Sequence, residues 1–222
     1  MGHGGERGAG PRLPRLNRYY LDLVAVHEIV PGHHVHFVRD NLTGRKLRPL
    51  FWNQVGAEGW AYYGENLMLE EGYGDARGRL HQSRMNLVRA CRVLIDVGLQ
   101  TGTMSVSEAT TFLARKARLS RAHAAAEVRR YAQTPTQPMS YVLGRLFVQE
   151  LRDDFEAAGL GDRRDFHRAF LAEGTVPIPF ARERLAIPGK SGQRVRLLAR
   201  PEPRTRKRTQ LRDASAPPPS SS

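Results

Sequence analysis

Apolar residues recur every three or four positions along most of the chain, which is the spacing of one face of an α-helix. The repeat is clearest between residues 137 and 158, where the apolar positions are Met139, Leu143, Leu146, Phe147, Leu151 and Phe155. A second long repeat, between residues 75 and 101, includes Leu80, Leu87, Cys91, Leu94 and Ile95. Strand-like alternation of useful length and internal repeats are both missing. The pattern therefore predicts an all-α domain.

Capping and turn residues divide this pattern into nine helices. We predict helices over residues 19–30, 33–40, 52–70, 75–101, 105–119, 120–131, 137–158, 162–172 and 179–185. Pro31-Gly32 separates the first two helices, because a proline inside a helix kinks or breaks it. Ser107 is the expected N-cap of the fifth helix.

The two ends of the chain lack this periodicity. Residues 1–16 are rich in Gly and Pro, and residues 188–222 are basic and rich in Pro and Ser. Segments with so little apolar surface cannot offset the entropy lost on ordering. We therefore expect a disordered N-terminal segment over 1–16, a helical domain over 17–187 and a disordered tail over 188–222.

The net charge of +13 is concentrated at these ends. Residues 188–222 carry nine basic and two acidic residues, and residues 1–16 carry three and one, so the net charges of +7 and +2 leave +4 for residues 17–187. Of the basic residues, 31 are Arg and four are Lys, which fits a GC-rich coding bias at least as well as phosphate binding. The tail has almost no aromatic residues for base stacking. It therefore predicts, at most, non-specific attraction of nucleic acid or another polyanion.

The lengths of the apolar runs indicate the cellular location. No run reaches the roughly 20 residues of a membrane-spanning helix, and the first residues lack the apolar stretch of a secretory signal. These features predict a cytoplasmic protein with no membrane association.

The single cysteine, Cys91, cannot form an internal disulfide or a multi-cysteine metal site, so any metal would be held by His, Asp or Glu.

Four of the eight histidines and a glutamate lie in the ten-residue segment His27-Glu28-Ile29-Val30-Pro31-Gly32-His33-His34-Val35-His36. The standard zinc-protease signature has two histidines four residues apart on a helix. Here Pro31 takes the second position, and an unbroken helix would hold His27 away from both His33 and His34. A bulge over residues 30–32 would bring His33 to that position. The residues alone leave open a His-rich surface helix that binds no metal.

The segment HEIVPGHH resembles the HExxPGHH signature of the bacterial domain-of-unknown-function family 885, a divergent relative of the gluzincin metallopeptidases. Further segments follow in the order of that family. They are Glu58-Gly59-Trp60-Ala61, the Arg-rich helix from Arg89 to Leu99, Glu127 to Tyr131, Pro135 to Tyr141, and Phe166-His167 with Gly174 to Pro177. The resemblance covers residues 17–187 and corresponds to the C-terminal portion of a larger helical fold. It implies that an N-terminal helical half is missing from this chain, and that half is a candidate partner.

The resemblance also implies a fold, an activity and a site. The fold is a gluzincin-like helical metallopeptidase domain, and the activity is zinc-dependent hydrolysis of peptide or amide bonds in a peptide substrate. The implied zinc ligands are His27, His33 and Glu58, with His34 as the alternative to His33. Glu28 is the implied general base, which activates a water molecule in the remaining zinc position.

Three further residues have both a functional and a structural interpretation. Tyr141 would donate its hydroxyl to an oxyanion, as a Tyr or His does in related metallopeptidases, or would tie down a helix. Asp96 would orient a ligand histidine or, as we expect, form an ion pair with Arg89 or Arg92. Glu65, two turns after the third ligand, would orient the site or be solvated.

The sequence departs from the family at two positions, and other functions stay open. Gln100 stands where a His is often found, and Thr136 stands where Gly is common. The alternatives to a peptidase are a truncated, non-catalytic remnant and a metal-binding protein whose basic tail attracts polyanions.

Overall fold

The computed structural model describes residues 17–45, 48 and 52–189. In these ranges the chain forms nine helices and no strand, which confirms the all-α class for the described residues. The helices are α1 (Arg18–Glu28), α2 (His33–Leu42), α3 (Gln54–Glu70), α4 (Ala76–Gln100), α5 (Val106–Lys116), α6 (Arg121–Gln133), α7 (Gln137–Ala157), α8 (Arg163–Glu173) and α9 (Ile178–Arg184). The expected disordered N-terminal segment and all but the first two residues of the expected basic tail lie outside the described residues.

Side-chain caps account for where several helices begin. The side chain of Asn17 accepts a backbone N–H of α1, and that of Asp75 does the same for α4. The fifth helix is capped by Ser105 and not by Ser107. Ser105 is preferred because Glu108, three residues later, returns a hydrogen bond to its backbone and completes a capping box.

Helices α3 and α7 form the central pair of the fold. Gly59 of α3 faces Gly144 of α7, and a Cβ atom added to Gly59 would lie 2.6 Å from the Cα of Gly144. Only residues without a side chain allow this approach. Around the pair, one buried cluster includes Trp60, Tyr63, Val148, Leu151, Phe166 and Phe170. A second cluster joins α4, α5 and α6 through Val88, Ile95, Leu113, Val128 and Tyr131.

Helix α4 carries a broad band of apolar residues, but only part of this band is buried. Cys91 and Ile95 pack in the second cluster. By contrast, Leu80, Leu87 and Leu94 are 72%, 46% and 58% exposed. The sequence repeat therefore predicts this helix correctly, although its apolar positions do not form one buried face.

Candidate metal centre

A tight connection joins the two helices that carry the histidines. Helix α1 ends at Glu28 and α2 begins at His33. Between them, Gly32 lies so close to the carbonyl group of His27 that a Cβ atom would overlap it. The backbone N–H of Gly32 donates to the carbonyl of Val26, six residues earlier, at 3.1 Å, and the ring centroids of His27 and His33 are 4.8 Å apart. The predicted bulge over residues 30–32 is present.

Three ligand atoms from α1, α2 and α3 converge at this point. Glu58 Oε2 lies 3.3 Å from His27 Nε2 and 3.4 Å from His33 Nε2. The three residues each offer a ligand atom within 4.8 Å of the others, and their side chains are at most 12% exposed. His34 is exposed and is not part of this group. His33, and not His34, is therefore the histidine that the fold brings to His27 and Glu58.

The separations of Glu58 from the two histidines fit a tetrahedral metal ion. Ligands at about 2.1 Å from a tetrahedral zinc ion lie about 3.4 Å from each other. The separations of Glu58 Oε2 from the two histidine nitrogens have this value. Two imidazoles and one carboxylate are also a donor set of catalytic zinc sites. The group can therefore hold a divalent metal ion.

Contacts within this group shift the pKa values of His27 and Glu58. Burial alone lowers the pKa of His27, but hydrogen bonds to Glu58 and Glu65 outweigh it and raise that pKa to about 9. Burial likewise opposes the ionised form of Glu58, yet the two histidines lower the pKa of its carboxyl to about 2. In the metal-free protein at neutral pH, a proton on His27 therefore balances the charge of Glu58.

Glu65 fixes the orientation of His27. Its Oε1 lies 2.7 Å from His27 Nδ1, which leaves Nε2 of the ring directed at Glu58. Arg89 donates to both oxygens of Glu65 at 2.6 Å, and Gln82 donates to Oε2 at 2.9 Å. Burial favours the neutral form of Glu65, but Arg89 and His27 hold the pKa of this carboxyl below its usual range. Glu65 is thus an ionised carboxylate that holds a ligand histidine.

The roles of Arg89 and Gln82 were not predicted from the sequence. The available signal was their spacing, since Gln82, Arg89 and Asp96 stand seven residues apart and are all buried. Seven residues are two helical turns, so the three side chains leave α4 in nearly the same direction. A stripe of polar residues on a buried side of a helix indicates a hydrogen-bond network.

Asp96 belongs to a different network from the one expected. Its Oδ1 accepts the N–H of Thr136 at 3.2 Å, and its Oδ2 accepts the N–H of Met139 at 3.3 Å. These bonds satisfy free backbone donors at the start of α7. The expected ion pair with Arg89 or Arg92 is not formed, because the two arginines pair with glutamates instead. Asp96 does not bond to a ligand histidine either.

Thr136 adopts the left-handed backbone conformation, with φ of 69°. This region favours glycine because a Cβ atom is crowded there. The conformation explains why a glycine suits this position, and the hydrogen bond from Thr136 to Asp96 holds the turn that leads into α7.

Tyr141 lies beside the three ligands. Its ring stacks on that of His27 with centroids 6.0 Å apart, and its hydroxyl accepts a hydrogen bond from Gln137 Nε2 at 3.0 Å. Burial and the charge of Glu58 raise the pKa of Tyr141, so the hydroxyl keeps its proton at neutral pH. Glu28 follows His27 directly, ends α1 and is exposed to solvent.

Comparison with known sequences and structures places the chain in a family. Residues 9–185 match the sequence profile of a family described as bacterial protein of unknown function, DUF885. The chain belongs to DUF885. No curated protein matches this DUF885 sequence.

Two solved structures are similar to the DUF885 chain. One is a candidate lipoprotein from Colwellia psychrerythraea, which is 27% identical with a TM-score of 0.71; the match covers 76% of this chain and 30% of that one. The other is a candidate lipoprotein of unknown function from Shewanella oneidensis, which is 29% identical with a TM-score of 0.70; the match covers 77% and 32%. The match to the DUF885 chain thus spans less than a third of the length of either neighbour.

These two structures bear on location. Both neighbours are candidate lipoproteins, which points to a membrane-anchored or secreted location. The cytoplasmic location predicted from the sequence is therefore wrong. Among the described helices of this chain, none has the length and apolarity needed to cross a membrane.

Proposed function

We propose that this DUF885 chain is a metal-dependent hydrolase of the gluzincin type that cleaves peptide or amide bonds. The observation that carries the proposal is the convergence of His27, His33 and Glu58 at the spacing of zinc ligands. The order of these residues along the chain supports the gluzincin type, because the carboxylate ligand comes from the helix after the histidines.

The three converging residues would hold the zinc ion, and Glu65 would keep the ring of His27 in place. A bound zinc ion supplies an activated water molecule and polarises a substrate carbonyl. Because Arg89 neutralises Glu65, the orienting carboxylate adds no net charge to the site. Among the three metal-binding side chains, Glu58 alone then contributes a negative charge.

Glu28 would transfer protons, and Tyr141 would stabilise the negative charge that develops on the substrate oxygen. Glu28 is an exposed carboxylate next to a ligand, so it can accept a proton from water and deliver it to the leaving nitrogen. Tyr141 keeps its hydroxyl proton and lies against His27, so it can donate a hydrogen bond to the developing oxyanion.

We further propose that the protein acts in a membrane-anchored or secreted location. The similarity to two candidate lipoproteins supports this location. Peptides or amide-linked molecules outside the cytoplasm would then be its substrates.

Metal analysis tests the site directly. We expect the purified protein to bind about one equivalent of zinc, as measured by mass spectrometry of the metal. His27→Ala, His33→Ala and Glu58→Ala should each lower the occupancy. His34→Ala is the matched control, because His34 is the adjacent but exposed histidine, and it should keep full occupancy. Full zinc content in all three ligand variants would refute the site.

Activity against a broad peptide library tests the reaction. Glu28→Gln should retain zinc and lose activity by several orders of magnitude, because the base is removed and the ligands stay. A wild-type protein that binds zinc but cleaves nothing would instead be a metal-binding chain without catalysis. Such a metal-binding chain without catalysis is the second candidate.

A further inference from the structure

An apolar stripe runs along the outer side of α4. Leu80, Leu87 and Leu94 stand seven residues apart and are 72%, 46% and 58% exposed. Val97, 46% exposed, and the exposed Ala90 lie on the same side of the helix. We call these five residues the α4 seam. From Leu80 to Val97 the seam spans 18 residues, or about 26 Å of helix.

The regularity of the α4 seam distinguishes it from ordinary surface leucines. Single exposed apolar residues are normal, but apolar residues at alternating intervals of three and four form the contact stripe of paired helices. The opposite side of α4 is already packed, with Arg89 and Asp96 buried, and Cys91 and Ile95 are buried at the edge of the seam. Among the described residues, no helix covers the seam itself, so this part of the apolar side of α4 has no partner.

The charges beside the α4 seam indicate what would cover it. Arg77, Arg79 and Arg84 are exposed on the same helix. The only acidic residue of α4 is Asp96, which is buried and bonded to the start of α7. A second copy of this chain would therefore bring no carboxylate of its own α4 to these arginines. A helix with acidic residues beside its apolar stripe would place carboxylates next to these arginines. Such flanking charges decide which helices pair.

We propose that the α4 seam binds an amphipathic α-helix whose apolar stripe is flanked by acidic residues. The lengths of the solved neighbours support such an occupant. The match covers 30% and 32% of those chains and leaves 70% and 68% without a counterpart here. Domains of this kind thus occur together with much additional structure, which can supply the helix. This inference does not depend on the proposed hydrolase activity.

A labelled peptide tests the proposal. The probe is a fluorescein-labelled 21-residue helix of three heptads with Leu at positions a and d and Glu at e and g, used at nanomolar concentration. Fluorescence anisotropy with the full chain should give a dissociation constant in the micromolar range. The same peptide with Lys at e and g should bind at least tenfold more weakly, and Arg84→Glu should remove this preference.

Variants of the protein locate the binding site. The double variant Leu87→Gln, Leu94→Gln should weaken binding of the acidic peptide at least tenfold. Leu146→Gln is the matched control, because Leu146 is a 48% exposed leucine on α7, and it should leave binding unchanged. Equal binding of both peptides, no binding at several hundred micromolar, or equal losses in seam and control variants would overturn the proposal. A wild-type dimer in sedimentation that Leu87→Gln dissociates would assign the seam to a second copy and overturn it too.

Discussion

Replacing Glu65 by glutamine removes the charge and one acceptor from the buried carboxylate behind His27. Each oxygen of Glu65 has two partners: Oε1 contacts His27 and Arg89, and Oε2 contacts Arg89 and Gln82. All of these partners donate. Whichever oxygen becomes the amide NH₂ group, two donors then face another donor.

The structure sets the size of the effect. Leaving a buried donor without an acceptor costs about 1–3 kcal/mol, so two of them cost about 2–6 kcal/mol. Breaking a buried ion pair costs about 3–5 kcal/mol, and the pair of Glu65 with Arg89 is buried, with side chains 0% and 7% exposed. We therefore expect Glu65→Gln to lower the free energy of unfolding by about 3–5 kcal/mol. A domain has only about 5–15 kcal/mol in total.

Urea unfolding of the metal-free protein at neutral pH, followed by circular dichroism, measures this difference. Glu71→Gln is the matched control, because Glu71 also pairs with an arginine but is about half exposed. It should cost less than about 1 kcal/mol. Zinc affinity of a folded Glu65→Gln sample should fall about 10- to 100-fold, since the ring of His27 loses its orienting acceptor. If the two variants differ by less than about 1 kcal/mol, Glu65 is not the ionised anchor described above.

Further predictions concern pH and packing. Burial lowers the pKa of His36 to about 4, so the folded state resists its protonation and stability falls as pH drops below 6.5. Between pH 7 and 4.5, urea unfolding should show a loss about 2–3 kcal/mol smaller in His36→Leu than in wild type; equal losses would contradict this. The raised pKa of His27 stabilises the metal-free fold below pH 6.5, and this contribution is lost as pH rises through about 9. Zinc should displace that proton, so calorimetry in buffers of different ionisation enthalpy should show proton release at neutral pH. Gly144→Ala should lower the melting temperature, because overpacking costs about 1–3 kcal/mol. Gly78→Ala on α4, where an added Cβ atom would make only ordinary van der Waals contacts at 3.5 Å and 4.0 Å, should raise it through helix propensity; similar shifts would refute the close contact at Gly144.

The sequence predicts the helices of this protein and the approach of His33 to His27 because both depend on short-range spacing, whereas Glu58 was expected near them only from the family resemblance. Pro31 and Gly32 require a break after α1, and the break makes His33 a possible neighbour of His27. The two-turn spacing of Glu58 and Glu65 places both carboxylates on one side of α3. These relations hold within one helix or one connection, so they are visible in the sequence.

Relations between helices are not visible in the same way. The ion pair of Asp96 was expected with an arginine on its own helix, but its partners are backbone groups 40 and 43 residues later. Likewise, Leu87 and Ile95 both fit the apolar repeat of α4, and only the neighbouring helices decide that Ile95 is buried. A helical period in the sequence identifies the apolar positions of a helix, and contacts with neighbouring helices decide which of them are buried.

The direct contact of Gly59 with Gly144 fixes the distance between α3 and α7 beside the site. Glu58 precedes one of these glycines and Tyr141 lies one turn before the other, so the spacing of the carboxylate and the phenol is set by two backbones in contact. Rotamer changes in the surrounding core leave such a contact untouched. Core side chains in this protein can therefore drift during evolution without changing the site, while mutation of either glycine would move α3 and α7 apart at the point where the site depends on them.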